Sequence, residues 1–164
     1  MKLPENFNPA ERGERARNYF QEGYNCCQAV MLAFADILEA NKLAGEELLK
    51  TIGSGFGGGF GRMREVCGAF SGCTVLAGFL SPAVTPGHDT RTANYALVQE
   101  LAAGFRERNG GSIICGELLG LQEHKPEVPA PSERTAEYYR KRPCPEIVCN
   151  AATLVAEKMK EAAR

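Results

Sequence analysis

The sequence predicts a single all-α domain, a helical bundle interrupted by one glycine-rich loop. Apolar residues recur at helical spacing between recognisable start and stop signals. No segment keeps the alternation of apolar and polar residues that marks a half-buried strand. The length of 164 residues fits one domain, so we take residues 1–164 as a single unit.

Four helices are predicted in the first half of the chain. Asn8 and Pro9 mark the start of the first helix, which ends near Gly23. Asn25 caps the second helix, and Gln28 stands where a capping box requires it. Residues 46–52 predict a short third helix, and residues 63–80 a fourth. The second helix continues through an apolar stripe formed by Val30, Phe34, Ile37 and Leu38.

The second half predicts one long helix, two short ones and a C-terminal helix. Asp89 or Thr90 begins the long helix, which ends at the Asn-Gly-Gly sequence of residues 109–111. Residues 113–114 are expected to be extended before a short helix over 116–119. Residues 121–132 are rich in proline and charge and predict a surface loop. Ser132 caps a short helix through Arg140, and Cys144 precedes the C-terminal helix over 146–162.

Six glycines fall within the nine residues 53–61, just before the predicted fourth helix. Glycine costs too much backbone entropy for an ordinary helix, so we expect a tight loop with unusual backbone angles. A G-x-G-x-x-G pattern is present, but a helix rather than a strand precedes it, which argues against dinucleotide binding. The backbone N–H groups of Gly57, Gly58 and Gly59 are instead candidate donors to sulfur or to an anion.

Composition narrows the classes of function. A net charge of −1 provides no basic face for nucleic acid. The longest nearly uncharged stretch, 66–82, is shorter than the ~20 apolar residues needed for membrane insertion. The N-terminus lacks the apolar region of a secretory signal, so we expect a cytoplasmic location. In that reducing compartment, seven cysteines favour metal binding or thiol chemistry over structural disulfides.

Four of the seven cysteines lie at predicted helix starts, namely Cys26, Cys67, Cys115 and Cys144. A helix N-terminus offers free N–H groups and a partial positive charge, which stabilise a thiolate and lower its pKa. Arg64 lies three residues before Cys67 and would add to this effect. These four cysteines are therefore the candidate catalytic or metal-ligating residues. The other three, Cys27, Cys73 and Cys149, are interpreted as small buried apolar residues.

Spacing alone does not prove that the four cysteines converge. The chain has no C-x-x-C pair, so the thioredoxin-like motif and the commonest zinc and ferredoxin patterns are absent. A free cysteine is often only a buried apolar residue, and the residue pattern leaves that interpretation open for all seven. His88 and His124 fall in proline-flanked segments and are expected to be exposed rather than to act as ligands.

Five segments occur in a characteristic order: GYNCCQAV at 23–30, SGFGGGFG at 54–61, VCGAFSG at 66–72, CGELLG at 115–120 and CPEIV at 144–148. With them the chain, from about residue 17 to about residue 155, resembles the redox-active family named for its C_GCAxxG_C_C cysteine pattern. The resemblance implies that the family cysteines are the same four, and that Gly68 follows the second of them. Cys27 stands where the family commonly has alanine and could compete with Cys26.

The resemblance also bears on cofactors. A related domain occurs in a haem protein, the split-Soret type of cytochrome, but this chain has no C-x-x-C-H haem attachment sequence. An iron–sulfur cluster or zinc on four cysteines remains open. The candidate cofactor-binding residues beside the cysteines are Gly57, Gly58, Gly59, Arg64 and Gly68.

Three functions follow. The first is a redox protein whose four cysteines ligate an iron–sulfur or other metal centre for electron transfer. The second is a metal-free thiol–disulfide oxidoreductase or redox sensor, with one attacking and one resolving cysteine. The third is a non-catalytic helical interaction module with inert cysteines. The compatible partners are a redox partner protein and a second copy in a homo-oligomer, and neither nucleic acid nor a membrane is expected.

Overall fold

The computed structural model of the protein describes residues 1–123 and 125–163. Within these residues the chain forms nine helices and no strand. The helices are α1 (Pro9–Gln21), α2 (Cys26–Leu32), α3 (Ala35–Ala40), α4 (Glu46–Gly53), α5 (Gly68–Leu80), α6 (His88–Arg108), α7 (Cys115–Leu118), α8 (Ala136–Lys141) and α9 (Cys144–Ala162). The all-helical prediction is confirmed.

Helices α1, α2, α5 and α9 form the centre of the bundle. The C-terminal helix α9 packs along α1 and also against α2, α5 and α6. The core that they enclose contains Phe20, Met31, Leu76 and Val148, all fully or almost fully buried. Burial of such side chains, worth roughly 1.5–3 kcal/mol each, is what stabilises short helices that would not form alone. None of the helices in the described part of the chain combines the length and apolar character needed to cross a membrane.

Local signals place the starts of the first two helices. The side chain of Asn8 accepts a hydrogen bond from the amide of Ala10, and Pro9 occupies the first turn. Asn25 accepts from the amides of Cys27 and Gln28, and the Gln28 side chain accepts in return from the Asn25 amide. The predicted capping box is therefore present, and it fixes the backbone on which Cys26 stands.

The prediction of one continuous second helix is wrong. Helix α2 ends at Leu32, and α3 begins at Ala35. Phe34 lies between them in a non-helical conformation, with φ −119° and ψ 6°, and is fully buried. The residues from Ala29 to Ala35 are buried on every side, so the chain turns in order to keep Phe34 inside the core. Packing here overrides the helical period.

The predicted fourth helix starts too early. Residues 63–67 are not helical, and α5 begins at Gly68. Arg62 and Arg64 have φ of 69° and 63°, which right-handed helix does not allow. Val66 then forms an isolated antiparallel bridge with Ile114, so residue 114 is extended as expected.

The remaining helix starts shift by up to three residues. Helix α6 begins at His88, one or two residues before the predicted Asp89 or Thr90, and α7 begins at Cys115 itself. Helix α8 is capped by Thr135, whose side chain accepts from the Tyr138 amide, and not by Ser132. Helix α9 begins at Cys144, so this cysteine is the first helical residue rather than a cap.

Candidate functional site

Four cysteines, each from a different helix start, line one cavity of about 560 Å³. Cys26 is the first residue of α2, and Cys67 is the residue just before α5. Cys115 and Cys144 are the first residues of α7 and α9. The fold thus brings to one cavity the four positions that the sequence singles out, although they lie on segments far apart along the chain.

The other three cysteines are buried elsewhere and do not line this cavity. Cys27 is fully buried beside Cys26, so neighbouring residues of α2 face the core and the cavity respectively. The Cys73 thiol donates to the carbonyl of Ala151 at 3.6 Å, between α5 and α9. Cys149 contacts Glu14 of α1 at 3.7 Å. Of the adjacent residues Cys26 and Cys27, only Cys26 therefore reaches the cavity.

Backbone pairing fixes Cys67 and Cys115 relative to each other. The amide of Cys67 donates to the carbonyl of Ile113 at 2.8 Å. The amide of Cys115 donates to the carbonyl of Glu65 at 2.6 Å. Because each cysteine amide is bonded to the segment that precedes the other cysteine, the two residues cannot separate without breaking both bonds.

Two glycines leave room for cavity cysteines. A Cβ at Gly68 would lie 2.4 Å from the Cys26 sulfur and 2.7 Å from the Phe56 carbonyl oxygen. A Cβ at Gly59, which has φ +69°, would lie 2.7 Å from the Cys115 Cβ. Contacts this short do not occur in proteins, so α5 and the glycine-rich loop approach the two cysteines only because both residues lack a side chain.

The glycine-rich loop is a run of left-handed residues. Gly58, Gly59, Phe60 and Gly61 all have positive φ, and Gly57 and Gly58 line the cavity. The carbonyls of Gly58 and Gly59 accept from the amides of Arg64 and Glu65, which closes the loop on itself. The loop has the strained, tight form that its glycine content predicts. Donation from its N–H groups to sulfur or an anion stays a prediction.

Arg64 is a buried cation in contact with a thiol. Its side chain is 5% exposed, and Nη1 donates to the Cys115 sulfur at 3.7 Å. Nε and Nη2 each donate to one carboxylate oxygen of Glu127 at 2.7 Å. This bidentate pair and the contact with Cys115 hold the pKa of Arg64 above its usual value, so the guanidinium stays charged.

Glu127 also ties the segment after α7 to the cavity. Arg62 donates to the same carboxylate and, through Nε, to the carbonyl of Val128 at 2.8 Å. The Glu127 amide donates to the Arg62 carbonyl at 3.1 Å. Pro129, Pro131 and Ser132, which follow, form part of the cavity wall. The proline-rich segment predicted as a plain surface loop therefore contributes to the site.

Two further arginines, Arg134 and Arg142, line the cavity and were not singled out from the sequence. The Arg134 guanidinium lies 4.3 Å from the centre of the Phe20 ring, and Arg142 lies 5.3 Å from that of Tyr138. The one sequence signal was the proximity of Arg142 to Cys144, two residues away. Arg64 likewise lies shortly before a cysteine, Cys67. The thiol that Arg64 contacts in the structure, however, is that of Cys115.

Burial, rather than the helix ends, dominates the acidity of the cavity thiols. Burial raises the pKa of Cys67, and the neighbouring Cys26 adds to the rise, while the amides of Ala69 and Phe70 oppose it. Burial raises the pKa of Cys144 to about 12. Burial also raises the pKa of Cys115, against the opposing effect of the Arg64 guanidinium.

The expectation that helix starts lower these pKa values is therefore wrong for Cys67, Cys115 and Cys144. Removal from water disfavours a thiolate more than nearby N–H groups and arginines favour it. At neutral pH the three thiols carry their protons. A bond from these sulfurs to a metal would displace those protons.

In the described residues, no group of three or more His, Cys, Asp or Glu side chains is arranged to hold a metal ion. The cysteines instead share the wall of a common cavity. His88 is 92% exposed at the start of α6, away from the cavity. His124 lies outside the residues that the structure describes.

The fold and the site define an all-helical, cysteine-rich protein with a thiol-lined cavity. A family model described as "Putative redox-active protein (C_GCAxxG_C_C)" matches residues 24–158. The chain belongs to this redox-active family, as the order of its cysteine segments predicts. No curated protein and no solved structure matches the chain.

Proposed function

We propose that this protein transfers electrons by means of an iron–sulfur cluster held by Cys26, Cys67, Cys115 and Cys144. The observation that carries the proposal is that four cysteines from four helix starts line a single cavity. Four thiolates are the usual ligand set of a [2Fe–2S] or [4Fe–4S] cluster. When bound, such a cluster would accept and release one electron at a time.

The size of the cavity favours a cluster over a single ion. A zinc ion draws four sulfurs to within about 2.3 Å of one point, so its ligands crowd together. The described residues contain no such arrangement, and the four cysteines instead form part of the lining of a cavity of about 560 Å³. A polynuclear cluster takes up space between its ligands and suits this arrangement better than zinc does.

The surroundings of the cysteines also suit an anionic cluster. Four thiolates bring four negative charges, and burying them requires compensation. Arg64, Arg134 and Arg142 lie at the cavity, and their charges favour the deprotonated form of the cysteines that they face. Positive charge and hydrogen bonds near cluster sulfur raise its reduction potential, so these arginines would tune it.

The test is metal and sulfide analysis of anaerobically purified protein, together with its visible absorption spectrum. Iron and acid-labile sulfide with a brown colour are expected. Cys26→Ala should lose most of the iron, whereas Cys27→Ala, which removes the neighbouring core thiol, should keep it. Equal iron in both variants, or colourless and iron-free parent protein, contradicts the proposal.

A metal-free thiol–disulfide protein is the second candidate. One observation favours it: Cys26 is only half-buried and is a close enough neighbour to raise the pKa of Cys67. Oxidation would join their two sulfurs, with two protons and two electrons passing to an oxidised disulfide of a partner, which becomes two thiols. Counting free thiols in reduced and oxidised protein tests it. A loss of two thiols that dithiothreitol reverses, in iron-free protein, supports this second candidate.

A further inference from the structure

The arginines of the cavity form a charged wall that the cysteines alone do not explain. Arg62, Arg64, Arg134 and Arg142 line the cavity, and no acidic side chain lines it among the described residues. The one carboxylate attached to this wall is Glu127, which pairs with Arg62 and Arg64. While the cysteines are protonated, four guanidiniums against one carboxylate leave three positive charges on this wall uncompensated. Such a wall calls for a negatively charged occupant.

We propose that this arginine wall binds a small oxyanion, a carboxylate, phosphate or sulfate group, next to the cavity cysteines. The two arginines best placed for it are Arg134 and Arg142, which make no ion pair with any residue that the structure describes. A planar guanidinium matches such a group with two parallel hydrogen bonds, which a lysine cannot provide.

Contacts with aromatic rings order the guanidiniums of Arg134 and Arg142 before any anion binds. Arg134 lies over the rings of Phe20 and Tyr138, at 4.3 and 5.0 Å from their centres. Its Nη1 donates to the Phe20 carbonyl at 3.3 Å, which leaves its other donors available. Arg142 lies over the ring of Tyr138 at 5.3 Å. Because the side chains are already ordered, less conformational entropy is lost when an anion binds.

The rest of the wall indicates that the oxyanion is carried by an organic molecule. Apolar side chains line the cavity beside the arginines, among them Phe20, Leu119, Pro129, Pro131, Ile147 and Val148. A volume of about 560 Å³ lies within the range of ~300–1,000 Å³ that is usual for small-molecule sites. Charged groups for orientation on a mainly apolar wall are the typical composition of such sites.

This inference goes beyond the proposed cluster and does not require it. Arg134 and Arg142 are held by Phe20 and Tyr138, and not by any cysteine. Anion binding can therefore be measured in a variant that cannot hold a cluster. Cys26→Ala should lose iron if the proposed function holds, yet it should keep its affinity for the anion.

The experiment is titration calorimetry with inorganic phosphate and with phenyl phosphate, at an ionic strength held constant with chloride. Arg142→Gln should weaken phenyl phosphate binding about tenfold, the usual loss for a charged hydrogen-bonding partner. Arg140→Gln is the matched control, because Arg140 is exposed on α8 and does not line the cavity. Tighter binding of phenyl phosphate than of phosphate identifies an organic anion, and equal binding identifies a free inorganic one.

The proposal is overturned if neither probe binds above the chloride background, or if Arg142→Gln binds as tightly as the parent. Arg142→Lys is a second variant in case Arg142→Gln does not fold. It keeps the positive charge and removes only the planar guanidinium with its two parallel donors. It should bind more weakly than the parent by a few-fold. Unchanged affinity in Arg142→Lys together with unchanged affinity in Arg142→Gln leaves no role for this guanidinium.

Discussion

Arg64 donates to the sulfur of Cys115 at 3.7 Å while its other nitrogens hold Glu127. A single buried guanidinium thus connects a cavity thiol to the segment that closes the cavity. Arg62 reaches the same carboxylate but not the sulfur, and it has the same left-handed backbone conformation. The chain therefore offers two arginines on one carboxylate, of which Arg64 also contacts the thiol and Arg62 also donates to the carbonyl of Val128.

Replacing Arg64 and Arg62 one at a time should show how much each contributes to stability. Arg64→Gln is expected to lower the free energy of unfolding by about 1–3 kcal/mol, below the cost of a fully buried pair because Glu127 stays partly exposed. Arg62→Gln should cost less, since its side chain is 17% exposed against 5% for Arg64. Urea unfolding of both variants measures the difference. A loss in Arg62→Gln as large as that in Arg64→Gln would contradict the prediction that the more deeply buried arginine contributes more to stability.

Helix α5 provides a pair of glycines with opposite expected effects. Gly68→Ala would drive a methyl group into the Cys26 sulfur and should destabilise the protein by about 1–3 kcal/mol. Gly78→Ala on the same helix meets nothing within 4 Å and should stabilise it by about 0.5–1 kcal/mol. Thermal unfolding of both variants tests this, and iron content reports whether Cys26 has been displaced. Retention of full stability in Gly68→Ala would refute the close approach.

The glycine-rich loop can be probed in the same way. Gly59→Ala combines a left-handed φ of +69° with a Cβ 2.7 Å from the amide of Glu65, so it should unfold the loop or shift Cys115. Gly61→Ala has a φ of +58° but open space around it, so only backbone strain of about 1 kcal/mol is expected. Thermal unfolding of both variants measures their stability. An equal loss of stability in Gly59→Ala and Gly61→Ala would mean that backbone strain alone, and not close packing against Cys115, requires glycine at position 59.

Alkaline pH should destabilise the reduced, metal-free protein. Burial raises the pKa of Cys144 and of Cys73 to about 12, whereas an unfolded cysteine titrates at about 8.5. The neutral buried thiols thus contribute stability that is complete below about pH 8.5 and is lost as the pH rises towards 12. Each can contribute a slope of up to ~1.4 kcal/mol per pH unit.

Cys144→Ala and Cys73→Ala should each flatten that slope. The comparison of slopes, rather than of absolute stabilities, removes the cost of the smaller side chain and the titration of lysines and tyrosines common to all variants. Denaturant unfolding between pH 8 and 11 provides the data. A slope in Cys144→Ala identical to that of the parent would mean that this thiol is not buried in its neutral form.

Local signals in the sequence were enough to predict the helices that they cap. Asn8, Asn25 and the glycines near residue 110 act through neighbours a few residues away, and the helix starts and ends that they predict are close to those observed. The predicted helix bounds are wrong where contacts with residues distant in the sequence determine the conformation. Phe34 breaks a helix to stay in the core, and Val66 leaves its predicted helix to pair with Ile114.

In the site, too, the features set by local sequence could be predicted and those set by long-range packing could not. The helix-start argument and the family pattern selected the four cysteines, because both depend on local sequence. The pKa of these thiols does not follow from local sequence, since burial is a property of the whole fold and outweighs the effect of the helix ends. Arg134 and Arg142 were missed because only the packing of α8 against Phe20 and the neighbouring rings turns them towards the cavity.

The order of the cysteines along the chain constrains when the cavity can form. Three of them precede residue 116, but the fourth, Cys144, opens the helix that also packs along α1. The set of four thiols is therefore incomplete until this helix has been synthesised. A polypeptide ending before residue 144 would therefore lack both the fourth cysteine of the cavity and the helix that packs along α1.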